Sequence, residues 1–176
     1  HAHNAGTGTL IKKEENKMEG ALISGIAFTK DEAEIMIKGV KDQPGVAGKI
    51  LGPIGDAKIE VDMIVQNVGS DGLADFTFTV SRNTLKKALQ VIEKNRKSMM
   101  YQSVISKSNI VKVSIVGVGM RSHAGIASKM FKCLAKNKVN IRMISTSEIK
   151  ISVVIDQKNL EIAVKALHNE FKLDKK

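Results

Sequence analysis

Residues 42–54 read DQPGVAGKILGPI, and the same pattern returns at residues 122–134 as SHAGIASKMFKCL. The match extends without a gap over residues 33–67 and 113–147, at a constant shift of 80 positions. Beyond it the second copy is five residues shorter and aligns at a shift of 75. A repeat that includes a helix and both flanking strands favours one structural unit written twice over chance similarity.

The first copy carries the hydrophobic patterns of strands and helices in alternation. Apolar residues from Ala47 to Ile54 recur at helical spacing, so they predict one buried face of a helix. We expect Pro44 in the first turn of this helix, with Asp42 or Gln43 near its cap. The remaining signals predict strands at 34–38, 60–67, 74–80 and 99–105 and a second helix at 85–92. The order is β-α-β-β-α-β.

The second copy lacks the last strand of this order. Its signals predict strands at 110–116, 140–146 and 149–155 and helices at 122–137 and 160–171. A strand-like stretch at residues 21–28 precedes the first copy, and a three-stranded unit would leave an exposed edge. We therefore expect this stretch to complete the second unit.

The sequence thus predicts an α+β fold of two ferredoxin-like βαββαβ units, the first inserted in the second. The first domain is expected at residues 32–106, and the second at residues 20–31 together with 107–172. Residues 1–19 lie outside both domains and are expected to be flexible, as a tag or as the tail of a preceding domain.

The composition excludes several function classes. The chain has 176 residues and a net charge of +10, but its basic residues are scattered and aromatic residues make up only 3%. We therefore expect a lysine-rich surface and no nucleic-acid partner. No apolar run approaches the ~20 residues that a membrane helix needs, so no membrane partner is expected. The single Cys133 cannot form an internal disulfide and fits a reducing, cytoplasmic location.

Catalytic and metal-binding motifs are missing from the sequence. It contains no GxxxxGKS/T, GxGxxG, HExxH, CxxC or GxSxG pattern. Ser122 and His123 are adjacent, but a pair without an orienting third group is weak evidence for a nucleophile. We therefore expect no catalytic residue, no metal site and no cofactor in this chain.

Two matching loops are candidate binding sites. Residues 42–47 and 122–127 occupy the same position in the two copies, where a strand turns into the N-terminus of a helix. That end presents free backbone N–H groups and the positive end of the helix dipole, which suit a carboxylate. Asp62, Gln66 and Asn67 offer hydrogen-bond partners for an ammonium or hydroxyl group. The combination fits an α-amino acid; the alternative is an ordinary strand-to-helix turn.

The strands that follow these loops resemble a known family. VDMIVQN at residues 61–67 and DFTFTV at residues 75–80 resemble the first ACT domain of aspartokinase. SHAG at residues 122–125 and NIRMISTSEIKIS at residues 140–152 resemble the second ACT domain. The segment ISTSE at residues 144–148 is the most specific part of the match.

The resemblance extends over about residues 18–172. Residues 8–11 are similar to the last strand of the kinase domain, so residues 1–19 could be its tail. Met18 and Glu19 are similar to the start of the separate regulatory β subunit of some bacteria. The sequence leaves open whether the chain is such a subunit or a fragment.

The resemblance implies a regulatory function. Aspartokinases use ATP to phosphorylate the side-chain carboxylate of aspartate, the first step toward lysine, threonine and methionine. Their paired ACT domains sense lysine, threonine or both, while ATP and magnesium would belong to the kinase domain. The family also implies a homodimer in which ACT units pair side by side, bind effectors at the seams and feedback-inhibit the aspartokinase catalytic domain or subunit.

The effector contacts that the resemblance implies lie in the two loops and on the strands after them. They are Asp42, Gln43, Pro44, Gly45, Val46, Ala47, Val61, Asp62, Met63, Gln66 and Asn67 in the first copy, and Ser122, His123, Ala124, Gly125, Ile126, Asn140, Ile141, Ser145, Thr146, Ser147 and Glu148 in the second. Ala124 stands where many relatives have proline, and Arg142 where acidic residues are common. The effector of the second site therefore stays open.

Two other functions are compatible with this order of elements. An RNA recognition module has the same βαββαβ order, and Phe76 and Phe78 alternate on the third strand as its stacking aromatics do. However, the sequence LAD at residues 73–75 precedes them in place of the basic residue and glycine of that motif. The other alternative is a free-standing ACT sensor of another amino acid.

Overall fold

The computed structural model describes residues 23–120 and 124–173. Its elements are β1 (Ile23–Lys41), α1 (Val46–Asp56), β2 (Val61–Val68), β3 (Leu73–Val80), α2 (Leu85–Lys94), α3 (Arg96–Met99), β4 (Ser103–Gly117), α4 (Ala124–Lys136), β5 (Met143–Thr146), β6 (Lys150–Asp156) and α5 (Leu160–Glu170). Short 3-10 turns, Arg82–Thr84 and Gln157–Asn159, lead into α2 and α5. The predicted α+β class and its ferredoxin-like units are confirmed.

The described residues form two compact units. The first unit is Thr29–Val111, and the second contains residues 23–28 together with 112–173. The insertion of one unit in the other and the domain boundaries given above stay predictions. Residues 1–22 lie outside the described residues, and they include the segment 1–19 that was predicted to be a flexible tag or tail.

The first unit is a four-stranded sheet with helices packed on its buried face. The strand order is β2-β3-β1-β4, and β3 is antiparallel to both β1 and β2. Its core lies between the sheet and the helices. The core side chains include Ile35, Ile37, Phe76 and Phe78 from the strands, Ile50 and Ile54 from α1, and Ala88 and Ile92 from α2. Of the apolar face predicted for α1, Ile50 and Ile54 are buried as expected, whereas Ala47 is exposed and Val46 is buried in its place.

The second unit repeats this plan with shorter strands. Within it, β6 lies between β4 and β5 and is antiparallel to β5. Residues 23–28 of β1 lie beside β4, where the Ser24 hydroxyl donates to the Val116 carbonyl at 3.2 Å. Its buried residues again come from strands and helices, among them Val113, Ile115, Met130, Leu134, Val153 and Leu167.

Two pairs of predicted strands are each a single continuous strand. Residues 23–41 form β1, although separate strands were expected at 21–28 and 34–38. Residues 103–117 form β4, although strands were expected at 99–105 and 110–116, and Arg96–Met99 is helical. In the first unit β1 lies between two strands, so backbone pairing on both sides outweighs the low strand propensity of its polar residues.

The turn from helix to strand uses the same three backbone hydrogen bonds in both units. The N–H groups of residues 57, 58 and 59 donate to the carbonyls of residues 53, 55 and 54. Eighty positions later, residues 137, 138 and 139 donate to residues 133, 135 and 134. Lys58 and Lys138 both adopt a left-handed backbone there, with φ of 61° and 59°. The sequence repeat is therefore also a repeat of local structure.

Among the described residues, no helix combines the length and the apolar character needed to cross a membrane.

Candidate functional site

An open pocket lies where α1 begins in the first unit. Its volume is about 410 Å³, and it is lined by Asp42, Gln43, Pro44, Gly45, Val46, Ala47 and Gln66. We call it the helix-end pocket. The structure therefore brings the whole predicted loop together with one predicted residue of β2.

The loop is shaped by its glycine and by backbone hydrogen bonds. Gly45 is the N-cap residue of α1 and has φ of 88°, a left-handed backbone conformation that residues other than glycine rarely adopt. The Asp42 N–H donates to the Gly72 carbonyl at 2.9 Å, which ties the loop to the turn before β3. The expected cap was wrong: no side chain caps α1, and Pro44 precedes the cap instead of lying in the first turn.

Neighbouring residues of β2 point to opposite faces of the sheet. Gln66 lies opposite Phe76, which is buried in the core, whereas Asn67 lies opposite Asp75. Directly opposed residues of an antiparallel pair share a face. Gln66 therefore lies on the helix-covered face, where it lines the helix-end pocket, and Asn67 lies on the other face.

The remaining predicted residues of β2 do not line the helix-end pocket. Val61 packs against the core, and Met63 is buried with its N–H donating to the Thr79 hydroxyl at 3.0 Å. Asp62 is exposed. A register shift in β2 between Val61 and Ile64 interrupts the simple alternation that the sequence predicts.

The second predicted site is only partly described. Ser122 and His123 lie outside the described residues, and Ala124 is the first residue of α4. Gly125 is exposed and Ile126 half-buried on α4. Asn140 and Ile141 precede β5, while Ser145, Thr146 and Glu148 are exposed. Ser147 closes the β5–β6 turn, since its N–H donates to the Lys150 carbonyl at 2.8 Å. This site stays a prediction.

A second pocket in the first unit was not anticipated from the sequence. It has a volume of about 320 Å³ and is lined by Lys38, Gly39, Asn67, Val68, Gly69, Asp71, Leu73, Asp75 and Gln102. We call it the bulge pocket, because β1 shifts register against β3 between Ile37 and Val40. In the sequence, the pocket could have been suspected only from Asp71 and Asp75, the two aspartates near the β2–β3 turn.

Other candidate chemistry is absent from the described part of the chain. Residues 23–120 and 124–173 contain no group of three or more His, Cys, Asp or Glu side chains placed to hold a metal ion. Cys133 is buried on α4, and burial raises the pKa of its thiol, which disfavours the reactive thiolate. Phe76 and Phe78 are buried in the core. They therefore offer no exposed surface for base stacking, which removes the main support for the RNA-binding alternative.

Comparison with known proteins assigns both units to one domain class. The ACT domain family matches residues 34–97, and a second ACT domain family matches residues 113–171. The fold and these matches define a tandem ACT-domain protein.

Relatives and solved structures narrow the class to one family. An aspartate kinase from Stutzerimonas stutzeri is 61% identical over 175 residues, covering 99% of this chain and 42% of that protein. The crystal structure of aspartokinase alpha and beta subunits contains a chain that is 49% identical, with a TM-score of 0.81, covering 85% of this chain and 99% of that one. The ligand-free regulatory subunit of aspartate kinase from Thermus thermophilus is 37% identical at the same coverage and TM-score. The chain belongs to the family of aspartokinase regulatory subunits.

The chain spans less than half the length of the curated relatives that it matches, 42% of the Stutzerimonas protein and 43% of an aspartokinase from Pseudomonas aeruginosa. It corresponds to the regulatory ACT region of these proteins.

Proposed function

We propose that this chain senses lysine or threonine and feedback-inhibits an aspartokinase. The amino acid binds at the ends of the ACT units and favours an inactive arrangement of the catalytic domain or subunit. ATP, magnesium and aspartate belong to that catalytic part, and the assembly works in the cytoplasm.

The helix-end pocket carries this proposal. The N-terminus of α1 offers backbone N–H groups and the positive end of the helix dipole to the carboxylate of an amino acid. Asp42 supplies a negative charge for the ammonium group, and Gln66 supplies an amide that can donate or accept. Partners for the two groups that every free α-amino acid carries, its carboxylate and its ammonium, therefore lie in one pocket, with the Gln66 amide as an additional hydrogen-bonding group.

The edge strands support pairing with a second copy of the chain. β2 is the outer strand of the first unit and β5 that of the second. Ile64 on β2 is 53% exposed and Ile144 on β5 is 44% exposed, and the two residues occupy matching positions of the repeat. Unpaired strand edges with exposed apolar side chains favour association. We infer a homodimer in which these edges meet and the effector pockets lie at the seam.

Feedback inhibition then requires a difference in affinity between two arrangements of the dimer. An effector shifts the equilibrium only if it binds one arrangement more tightly than the other. A coupling free energy of ~1–3 kcal/mol, typical of allostery, changes the relative affinity for the two arrangements by roughly 5- to 150-fold. Closure of the seam around the bound amino acid is the step that supplies this difference.

Isothermal titration calorimetry on the 176-residue chain tests the proposal. L-lysine or L-threonine should bind the wild-type chain, and Gln66→Ala should weaken that binding about tenfold, equivalent to the loss of ~1.4 kcal/mol. Gln90→Ala is the matched control, because Gln90 is an exposed glutamine on α2 of the same unit, outside the pocket. Absence of binding by both amino acids, or equal affinity in wild type and Gln66→Ala for both, would refute the proposal.

A further inference from the structure

The bulge pocket contains two carboxylates that the backbone holds in place. Asp75 Oδ1 accepts the Gly39 N–H at 2.9 Å, and Asp71 Oδ1 accepts the Leu73 N–H at 3.1 Å. Each carboxylate has a second oxygen with which it can accept a hydrogen bond from a ligand. A site whose charged groups are already positioned loses less entropy on binding than one that must order them.

The floor of the pocket is closely packed. The Gln102 N–H donates to the Lys38 carbonyl at 2.8 Å, and the Gln102 side chain lies over Gly39. A Cβ atom at Gly39 would collide with that side chain, and Gly39 also has a left-handed φ of 72°. The turn beyond it is closed by a hydrogen bond of 2.8 Å from the Gly69 N–H to the Leu73 carbonyl. The walls therefore exist before any ligand arrives.

The charges that line the pocket indicate which charged groups a matching ligand would carry. They are the two carboxylates of Asp71 and Asp75 and the ammonium of Lys38, with the amides of Asn67 and Gln102 beside them. A ligand with two ammonium groups and one carboxylate matches this set group for group. The volume of about 320 Å³ lies at the lower end of ligand pockets, which suits a small metabolite.

We propose that the bulge pocket is a separate site for an α-amino acid that carries a second, side-chain amine. Its two ammonium groups bind Asp71 and Asp75, and its carboxylate binds Lys38. The inference rests on the proposed function only in taking the ligand to be an amino acid. It assigns the diamino acid to a pocket on the opposite face of β2 from the helix-end pocket.

Only the first unit can form this site. The second copy lacks five residues at this turn, and Asp71 falls among them. At the shift of 75 positions, Asp75 corresponds to Lys150, which reverses the charge. The proposal therefore predicts one such site per chain.

Calorimetry with L-lysine as the probe tests the proposal on the full chain. Asp71→Asn should weaken lysine binding at least tenfold, because the amide still accepts the Leu73 N–H but loses the negative charge. The lysine-binding event that Asp71→Asn weakens should persist in Gln66→Ala, whatever that variant does to binding at the helix-end pocket. Asp56→Asn is the matched control, since Asp56 is an exposed aspartate of the same unit outside both pockets. L-norleucine, which lacks the side-chain amine, should bind at least tenfold more weakly than lysine.

A second variant keeps the test decisive if Asp71→Asn lowers the melting temperature. Lys38→Met retains the aliphatic chain and removes the ammonium, so it should also weaken lysine binding at least tenfold. Lysine binding that survives both variants but is lost in Gln66→Ala would overturn this inference and leave the proposed function intact. Norleucine binding as tight as that of lysine would also overturn it. If neither lysine nor threonine binds the wild-type chain, both proposals fail.

Discussion

The two units share a scaffold and differ at one edge. Their helix-to-strand turns use the same three hydrogen bonds, and Gly39 and Gly119 adopt the same left-handed backbone, with φ of 72° and 69°. They differ at one hairpin turn. The β2–β3 turn of the first unit is longer and has two aspartates, whereas the corresponding β5–β6 turn of the second unit closes tightly at Ser147.

This difference shows where a duplicated fold can diverge. Residues that set the core and the backbone geometry of turns are constrained by packing and by φ, so both copies retain them. The length of an exposed hairpin affects few contacts, so it can change without loss of the fold. In this protein the change in hairpin length decides whether a charged pocket exists.

The largest expected effect separates the two matched glycines. Gly39→Ala should lower the free energy of unfolding by about 1–2 kcal/mol from left-handed strain, with a further loss because the exposed Gln102 side chain must move away from the new Cβ. Gly119→Ala should cost about 1–2 kcal/mol from strain. Urea unfolding measures both. The Gly39→Ala, Gln102→Ala double variant should recover part of the loss; complete additivity would contradict the close approach.

A smaller effect tests the equivalence of the two helix-to-strand turns. Lys58→Gly and Lys138→Gly should each raise the free energy of unfolding by about 0.5–1 kcal/mol, because glycine adopts a left-handed backbone without strain. Lys49→Gly, at an exposed position inside α1, should instead lower it by about 1 kcal/mol. Thermal and urea unfolding would show these signs. Opposite signs for Lys58→Gly and Lys138→Gly would break the equivalence.

The smallest effect reports on the first unit alone, since Tyr101 is the only tyrosine in the chain. Burial, and then the hydrogen bond and charge of Glu93, raise the pKa of Tyr101 above 10.0, against the opposing charge of Arg96. A raised folded-state pKa favours the protonated phenol, so this stabilisation is present below pH 10 and is lost as pH rises through the folded-state pKa. Phenolate absorbance should titrate above pH 10, and Glu93→Gln should move the midpoint down. An unmoved midpoint would contradict a contribution of the Glu93 charge to the raised pKa of Tyr101.

The sequence predicted the elements of the fold better than their limits. Helical spacing from Ala47 to Ile54 identified α1 because one face of that helix is buried. The continuity of β1 and β4 was missed because residues 29–31 and 106–109 are polar and read as breaks. Strand pairing is set by neighbouring strands, which local propensity does not report.

The two candidate pockets show the same contrast between what is local in the sequence and what depends on strand pairing. The loop at residues 42–47 is contiguous in sequence, so its pattern alone located it. The bulge pocket joins Lys38, Asp71 and Gln102, which are far apart in sequence and meet only through the register of the sheet. A one-residue bulge decides which side chains share a face, and no periodicity in β1 announces it.

The buried Cys133 makes this protein convenient for spectroscopic labelling. It is the only cysteine in the chain, it is 7% exposed, and burial raises the pKa of its thiol. Maleimides react with the thiolate, so the native residue should remain largely unmodified at neutral pH. A cysteine introduced at an exposed position such as Asp62 could therefore carry a fluorophore or spin label without removal of the native thiol. Distances between such labels on two chains would test the proposed pairing of β2 edges and its response to added amino acids.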